Sequence, residues 1–255
     1  YRYADNHIAG FSHTHLSGTG VADYCDISVM PTTKPIDKKY FEQSDSTVKQ
    51  IIAENKLDPN SFINRDGHPG PFDKHFFLKY RSAFSHDQEK ASPGYYSVKL
   101  LDDDIDVELT TSELAAMHRY RFNKKTDLQH VILNLGFTTS DRTTDASLTF
   151  RSPELLTGYR FSSGKANQKV FFAMQFSRPI RHHEFFLSDE TDGINNAKGK
   201  NVAGVFSFDG KESNELLIKV AISSVSEEGA LTNLRTADQF RWNFDQMHQS
   251  TRTKW

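Results

Sequence analysis

The densest group of chemically capable side chains lies near the start of the chain. It reads Gly10-Phe11-Ser12-His13-Thr14-His15-Leu16-Ser17-Gly18-Thr19-Gly20, with Asp23 and Asp26 close behind. Histidines at i and i+2 fall on the same side of an extended chain. A metal reading needs a third ligand, and the spacing does not specify one. Ser17-Gly18-Thr19-Gly20 offers hydroxyls and backbone N–H groups, and its glycines let a ligand approach the backbone closely. Such a segment suits a polyol held through many hydrogen bonds, and a purely structural loop is the competing reading.

Other reactive residue types are scattered. Glu89 and Asp26 are carboxylates near histidines and could form an acid/base pair, but a turn-stabilising acid fits Glu89 as well. His86 suits a hydrogen bond to a neighbouring loop. His118-Arg119 reads as a satisfied structural pair on a strand. His182 and His183 would face opposite sides of a strand and so cannot chelate one ion together. Asp189-Glu190-Thr191-Asp192-Gly193 reads as a solvated acidic turn without the full calcium-loop spacing. Cys25 is the sole cysteine. No intramolecular disulfide is therefore possible, and nothing in the sequence specifies a base to activate its thiol.

The elements that must position these residues are mostly strands. From Phe76 the apolar period is two, with strands expected at 76–84, 95–101, 105–111, 114–122, 128–136, 146–152, 154–163, 168–177, 179–187, 202–208 and 214–223. Short strands with frequent turn signals argue for an all-β sandwich or barrel. Residues 1–33 read as loop, and a helix capped by Ser46 is expected within 35–57. From about residue 227 the pattern becomes helical, with Phe240, Phe244 and Met247 at i, i+4 and i+7. This tail wants a partner surface, and its apolar residues are expected to be partly unburied in the chain alone. A helix packed on the sheet is the alternative. At a formal net charge of -2, and without a basic face, the chain points to no nucleic-acid or anionic-membrane partner. It has no apolar run long enough to span a bilayer. It opens at Tyr1 without an initiator Met, as a processed or truncated product would, so a missing leader says nothing of export.

Four motifs, in order, resemble glycoside hydrolase family 92, the exo-acting α-mannosidases. GFSHTHLSGTG followed by DYCDISVMPTT resembles the family's N-terminal signature. FSHDQEKASPGYYSV (84–98), ELTTSELAAMHRYRF (108–122) and VAISSVSEEGALTNL (220–234) are similar to later family segments. The family usually has Gly where Cys25 stands, and residues 34–75 read as a longer insertion than usual.

The resemblance implies a large antiparallel β-sandwich of the galactose mutarotase-like kind with a few helices. The sandwich would span 1–226 with a helical insertion around 35–57, and 227–255 would be a helical linker into a missing (α/α)6 domain. It further implies Ca²⁺-dependent hydrolysis with inversion, in a site between the two domains. Inversion needs two carboxyls roughly 6.5–9.5 Å apart. In the family the acid is a Glu and the base an Asp, both from the helical domain, so no catalytic residue is expected in this chain. Most calcium ligands are expected outside it as well. The chain would supply one wall of the pocket for a mannose-containing glycan from which terminal mannose is trimmed, with α-1,2 the expected linkage. His13, His15, Ser17, Gly18, Thr19, Gly20 and Asp23 would line or shape that wall. The expected location is extracytoplasmic: periplasmic, surface-bound or secreted. The alternative is a non-catalytic carbohydrate-binding module using Tyr95-Tyr96 or Trp242 as stacking platforms.

Overall fold

The structure, a computed structural model, describes residues 6–14, 24–41, 79–137, 141–164, 167–192 and 194–255. Its strands are β1 (His7–Ile8), β2 (Ser28–Thr32), β3 (Ser82–Ala83), β4 (Glu89–Ser92), β5 (Tyr95–Leu100), β6 (Ile105–Thr111), β7 (Ala115–Phe122) and β8 (Leu128–Asn134). They continue as β9 (Arg142–Ser152), β10 (Leu155–Ser163), β11 (Asn167–Phe176), β12 (His182–Phe186), β13 (Glu190–Asp192), β14 (Asn196–Gly199), β15 (Ala203–Asp209) and β16 (Glu215–Ser223). Two α-helices follow, α1 (Glu227–Arg235) and α2 (Phe244–Lys254), joined by a 3-10 turn at Thr236–Phe240.

Ten strands form one sheet in the order β13-β14-β9-β10-β11-β16-β7-β6-β5-β4, and four form another in the order β12-β15-β8-β2. β1 pairs with β3 separately. Pairing is antiparallel throughout the described ladders. The two large sheets pack face to face as a sandwich, and strand alternation decides what lies between them. On β7, Tyr120 and Phe122 point into the inter-sheet core with Val107, Phe172 and Ile218. Ala115 and Met117, of opposite parity, point to the outer face.

That outer face is covered rather than solvated. Ser226 caps α1 by accepting from the Gly229 N–H, and Asn243 caps α2 by accepting from the Gln246 N–H. The helices lay Ala230, Leu234, Phe240, Phe244 and Met247 onto Ala115, Met117, Ala173, Leu217 and Ala221 of the large sheet. Met247 is 0% exposed and Phe244 2%. The expectation of a partly unburied helical tail is therefore corrected: its apolar stripe matches an apolar outward parity on β7, β11 and β16. Arg119 adds a lock, its guanidinium 4.2 Å over the Phe244 ring and bonded to Asp245. Gly94, at φ +73°, lets the β4–β5 turn meet α2, since a Cβ there would lie 2.5 Å from Thr251 Cγ2.

Other expectations need adjusting. Of the strand expected at 76–84, only Ser82–Ala83 is extended among the described residues. The loop reading of 1–33 missed β2, whose Pro31 argues against a strand; β2 is an edge strand, where a missing N–H costs no ladder bond. The solvated-turn reading of 189–193 is also corrected: Glu190–Asp192 pairs with β14 at the sheet edge. In the insertion around 35–57, the described part shows a short 3-10 turn at Lys38–Tyr40, and the helix expected after Ser46 lies outside the described residues. No helix among the described residues is long and apolar enough to cross a membrane.

Because α2 is part of a buried core, Met247→Ala is expected to destabilise the protein by about 2–5 kcal/mol. Trp255→Ala, at a residue 84% exposed, should shift stability by no more than about 0.5 kcal/mol. Urea denaturation midpoints of the two variants check the contrast.

Candidate functional site

Of the residues expected to line a sugar, His15, Ser17, Gly18, Thr19, Gly20 and Asp23 lie outside the described residues, and His13 lies within them. The chain on either side of 15–23 is closely defined. Phe11 and Val29 exchange both backbone hydrogen bonds, at 2.8 and 3.0 Å. Nearer the tip, His13 N donates to Asp26 O (2.9 Å) and Cys25 N donates to Thr14 O (3.0 Å). This two-stranded stem holds Thr14 and Cys25 together.

The stem is held in an unusual backbone shape. Tyr24, Cys25 and Ile27 have φ of 77°, 63° and 57°. The left-handed region costs a residue with a Cβ roughly 1–2 kcal/mol and persists only where the surroundings dictate it. Glycine would adopt this conformation at the position of Cys25 without that cost.

A buried charge cluster supplies that constraint. Arg160, on β10, is 0% exposed. Its Nη1 donates to Asp26 Oδ1, its Nη2 to Asp141 Oδ2 (2.9 Å) and its Nε to Leu135 O (3.0 Å) and Thr143 Oγ1 (3.1 Å). Asp26 Oδ2 accepts from the Thr14 hydroxyl (2.6 Å) and from Gln168 Nε2 (2.6 Å). Thr14 Oγ1 in turn accepts from the Asp26 N–H at 2.9 Å. Asp26, itself 0% exposed, thus binds the stem to the large sheet and has no exposed oxygen for proton transfer to a ligand.

The second support is a chain of hydrogen bonds through two imidazoles. His13 Nδ1 lies 2.7 Å from Ile27 O, His13 Nε2 lies 3.0 Å from His118 Nε2, and His118 Nδ1 lies 2.7 Å from the Tyr120 hydroxyl. A carbonyl only accepts, so His13 Nδ1 carries a proton. Neutral His13 then accepts at Nε2, His118 donates from Nε2, and Tyr120 donates to His118 Nδ1. One proton order satisfies every atom. Burial pushes His13 down to about 4, against the opposing effect of the Ile27 carbonyl. Burial, with His13 beside it, also holds His118 well below the ordinary histidine range. Both ring nitrogens of His13 are therefore engaged inside the protein, and His13 shapes the stem.

The remaining candidates are structural. His86 Nδ1 lies 2.7 Å from Glu89 Oε2, and the Tyr96 hydroxyl donates to Glu89 Oε1 at 2.6 Å. Tyr95 faces the opposite side, stacked on His248 (4.7 Å) and donating to Glu108. Trp242 packs beside the outer core with Lys219 Nζ 4.7 Å over its ring. His118 and Arg119 are both satisfied structural residues on opposite faces of β7, His118 pointing into the sandwich and Arg119 out towards Glu108 and α2. His183 stacks on Phe150 at 4.1 Å. Sequence reasoning missed Arg160, Asp141 and the partnership of His13 with His118. Parity offered a signal: Arg160 shares the inward side of β10 with Leu156, and His118 that of β7 with Tyr120 and Phe122. A charged or titratable residue among inward-facing apolar ones needs a buried partner.

Two outcomes follow. Arg160→Met leaves two buried carboxylates without their cation and is expected to lower stability by about 3–5 kcal/mol. Arg160→Lys should not restore it, because an ammonium cannot span three directions at once. For the imidazoles, the folded state disfavours the proton that the unfolded chain accepts. Their contribution is complete above the ordinary histidine value of 6.5 and is lost as pH falls towards about 4. His130 and His7 titrate in the same direction, so the measurement is a difference: the drop in denaturation midpoint over this window should be smaller in His13→Gln than in the parent.

The family model of the glycosyl hydrolase family 92 N-terminal domain matches residues 1–62 and 68–223. Among solved structures, the family GH92 α-mannosidase BT3965 from Bacteroides thetaiotaomicron aligns over 98% of this chain with 26% identity and a TM-score of 0.77. Its complex with mannoimidazole aligns with 27% identity and the same TM-score. The inverting mannosidase BT2199 from the same organism shares the fold, with 21% identity and a TM-score of 0.72 over 100% of the chain. The chain spans only 31%, 30% and 29% of those three chains. A comparison with curated proteins returns no match. A sandwich of this topology and a family match across most of its residues lead to one conclusion: the chain belongs to the glycosyl hydrolase family 92 N-terminal domain family.

Proposed function

We propose that the chain forms one wall of the sugar pocket of a calcium-dependent, inverting α-mannosidase that trims terminal α-1,2-linked mannose from glycans outside the cytoplasm. The observation that carries this reading is the alignment of 98% of the chain with an α-mannosidase at 26% identity. The site geometry supports it. The stem, Asp26 and Arg160 hold Thr14 and Cys25 rigidly, and rigid placement is what a sugar-orienting segment at 15–23 requires. Misplacement by about 1 Å can cost on the order of 100-fold in rate.

In this reading the catalytic acid and base belong to a helical domain outside these residues. The carboxylates near the stem suit neither role. Asp26 is enclosed by Arg160, Thr14 and Gln168, and Glu89 is engaged by His86 and Tyr96. Among the described residues no three His, Cys, Asp or Glu side chains converge to hold a metal ion. In this reading most of the ion's ligands lie in the helical domain. There the ion would supply Lewis-acid polarisation. A free-standing carbohydrate module is less well supported, because Tyr95, Tyr96 and Trp242 are all committed to packing or hydrogen bonds.

The test is an assay with an aryl α-mannoside and Ca²⁺. The 255-residue chain is expected to show no turnover, and the longer protein carrying the helical domain is expected to turn over. His15→Ala in that longer protein should lower kcat/KM by about tenfold or more, the size of a lost hydrogen bond made in the transition state. Turnover by the short chain at the rate of the long one would place the catalytic carboxylates within these residues and overturn the division of labour.

A further inference from the structure

The stem touches the large sheet through two clasps of opposite character. On β10 and β11, Arg160 and Gln168 hold Asp26, and that contact is ionic. On β7, beyond β16 in the sheet, His118 holds His13, and that contact joins two neutral rings. The ionic clasp tolerates charge by design, whereas the neutral one has no means of accepting it.

The reason lies in its proton order. His13 Nδ1 keeps its hydrogen to donate to the Ile27 carbonyl. The acceptors left are His13 Nε2, facing the His118 N–H at 3.0 Å, and His118 Nδ1, facing the Tyr120 hydroxyl at 2.7 Å. A proton on His118 Nδ1 keeps the bonds only if the Tyr120 hydroxyl turns to accept, and it leaves a charge inside the sandwich. A proton on His13 as well sets two N–H groups head to head.

The surroundings do not offset such a charge. His118 sits between Leu109 and Ile218 in the ladder. Beyond Leu109, Tyr96 donates to Glu89, whose other oxygen faces His86. Within the stem, Asp26 has both oxygens engaged by Arg160, Thr14 and Gln168, and Cys25 is the other titratable residue. Arg119 and Lys219 carry their charges on the outer face of the sheet, towards Asp245 and Asp238. Among the described residues no carboxylate bonds to either ring. Burial is accordingly the main cause that keeps both rings unprotonated. A ring that swings into water regains the ordinary value of 6.5, so acid favours whatever opening lets it do so.

We infer that the stem is an acid-released latch: proton uptake by His13 and His118 peels residues 12–14 away from β7 and from the opposite arm of the stem, while Phe11 stays in the core and Asp26 stays on Arg160. The closed latch is complete above the ordinary histidine value and is lost as pH falls towards about 4. One end of the sandwich thus answers to pH through an opening much smaller than unfolding.

Amide hydrogen exchange in the full-length protein, resolved to single residues by mass spectrometry, tests the latch. The probes are the His13 and Cys25 amides, which donate to Asp26 O and Thr14 O across the stem. Corrected for the intrinsic effect of pH, their protection should fall about tenfold per pH unit for each proton taken up between about pH 6 and 4.5. It should also stay at least about tenfold below that of the β16 amides throughout, as a local opening requires. The double variant His13→Gln, His118→Gln retains polar atoms but cannot titrate, and should flatten the dependence to under about threefold over the same window. Tyr120→Phe leaves both imidazoles in place and should keep it. In the parent protein, stem protection that is flat over this window, or equal to that of β16 at every pH, would overturn the inference. An unchanged dependence in the double variant would overturn it as well, by assigning the protons to other groups such as His7 or His130.

Discussion

A single guanidinium set between two carboxylates in a dry interior constrains more of this molecule than its size suggests. Arg160 reaches Asp26 under the stem, Asp141 before β9 and the Leu135 carbonyl after β8. Burying three charged groups is unfavourable unless each is paired and hydrogen-bonded. The planar fork of arginine meets that condition, and one ammonium could not. The cluster is not neutral, with two carboxylates facing one cation. The hydroxyl of Thr14 and the amide of Gln168 offset part of the excess at Asp26. Geometry at one end of the sandwich therefore depends on a residue in the middle of β10.

The strands of the large sheet serve two cores at once. Inward positions on β7, β11 and β16 fill the sandwich, and outward positions on the same strands receive α1 and α2. The two cores share backbone, so loss of one exposes the other side of the same strands. This explains why the outward face carries Ala115, Met117, Ala173, Leu217 and Ala221 where a one-sided antiparallel sheet would carry polar residues. The helices complete the sheet, whatever else they lead to.

Strands with strong alternation were readable, and β6 lies where its period placed it, at Ile105–Thr111. Weakly patterned edges were not. β4 reads Glu-Lys-Ala-Ser and has no apolar period, because an edge strand with little to bury needs none. β2 was masked by Pro31. At the site, the residue types near His13 were legible, but their partners were not. His118 lies 105 positions from His13 and Arg160 lies 134 from Asp26, and no local pattern encodes a pairing across that separation. What the sequence did carry was the anomaly of a polar residue on an inward parity, a local sign of a distant partner.

The outer core also bears on how the chain is made. Its sheet-side members, from Ala115 to Ala221, leave the ribosome before Phe244 and Met247 exist to cover them. At synthesis rates of about 5–20 residues per second, the apolar outward face waits on the order of seconds for its cover. Thr251 bonds back to the Thr111 carbonyl across 140 positions, so this surface closes by a late, long-range contact, the slow kind in folding. The nascent sandwich therefore passes through an interval with a sticky apolar face, during which chaperone capture or pairing with another nascent chain competes with the arrival of its own C-terminal helices.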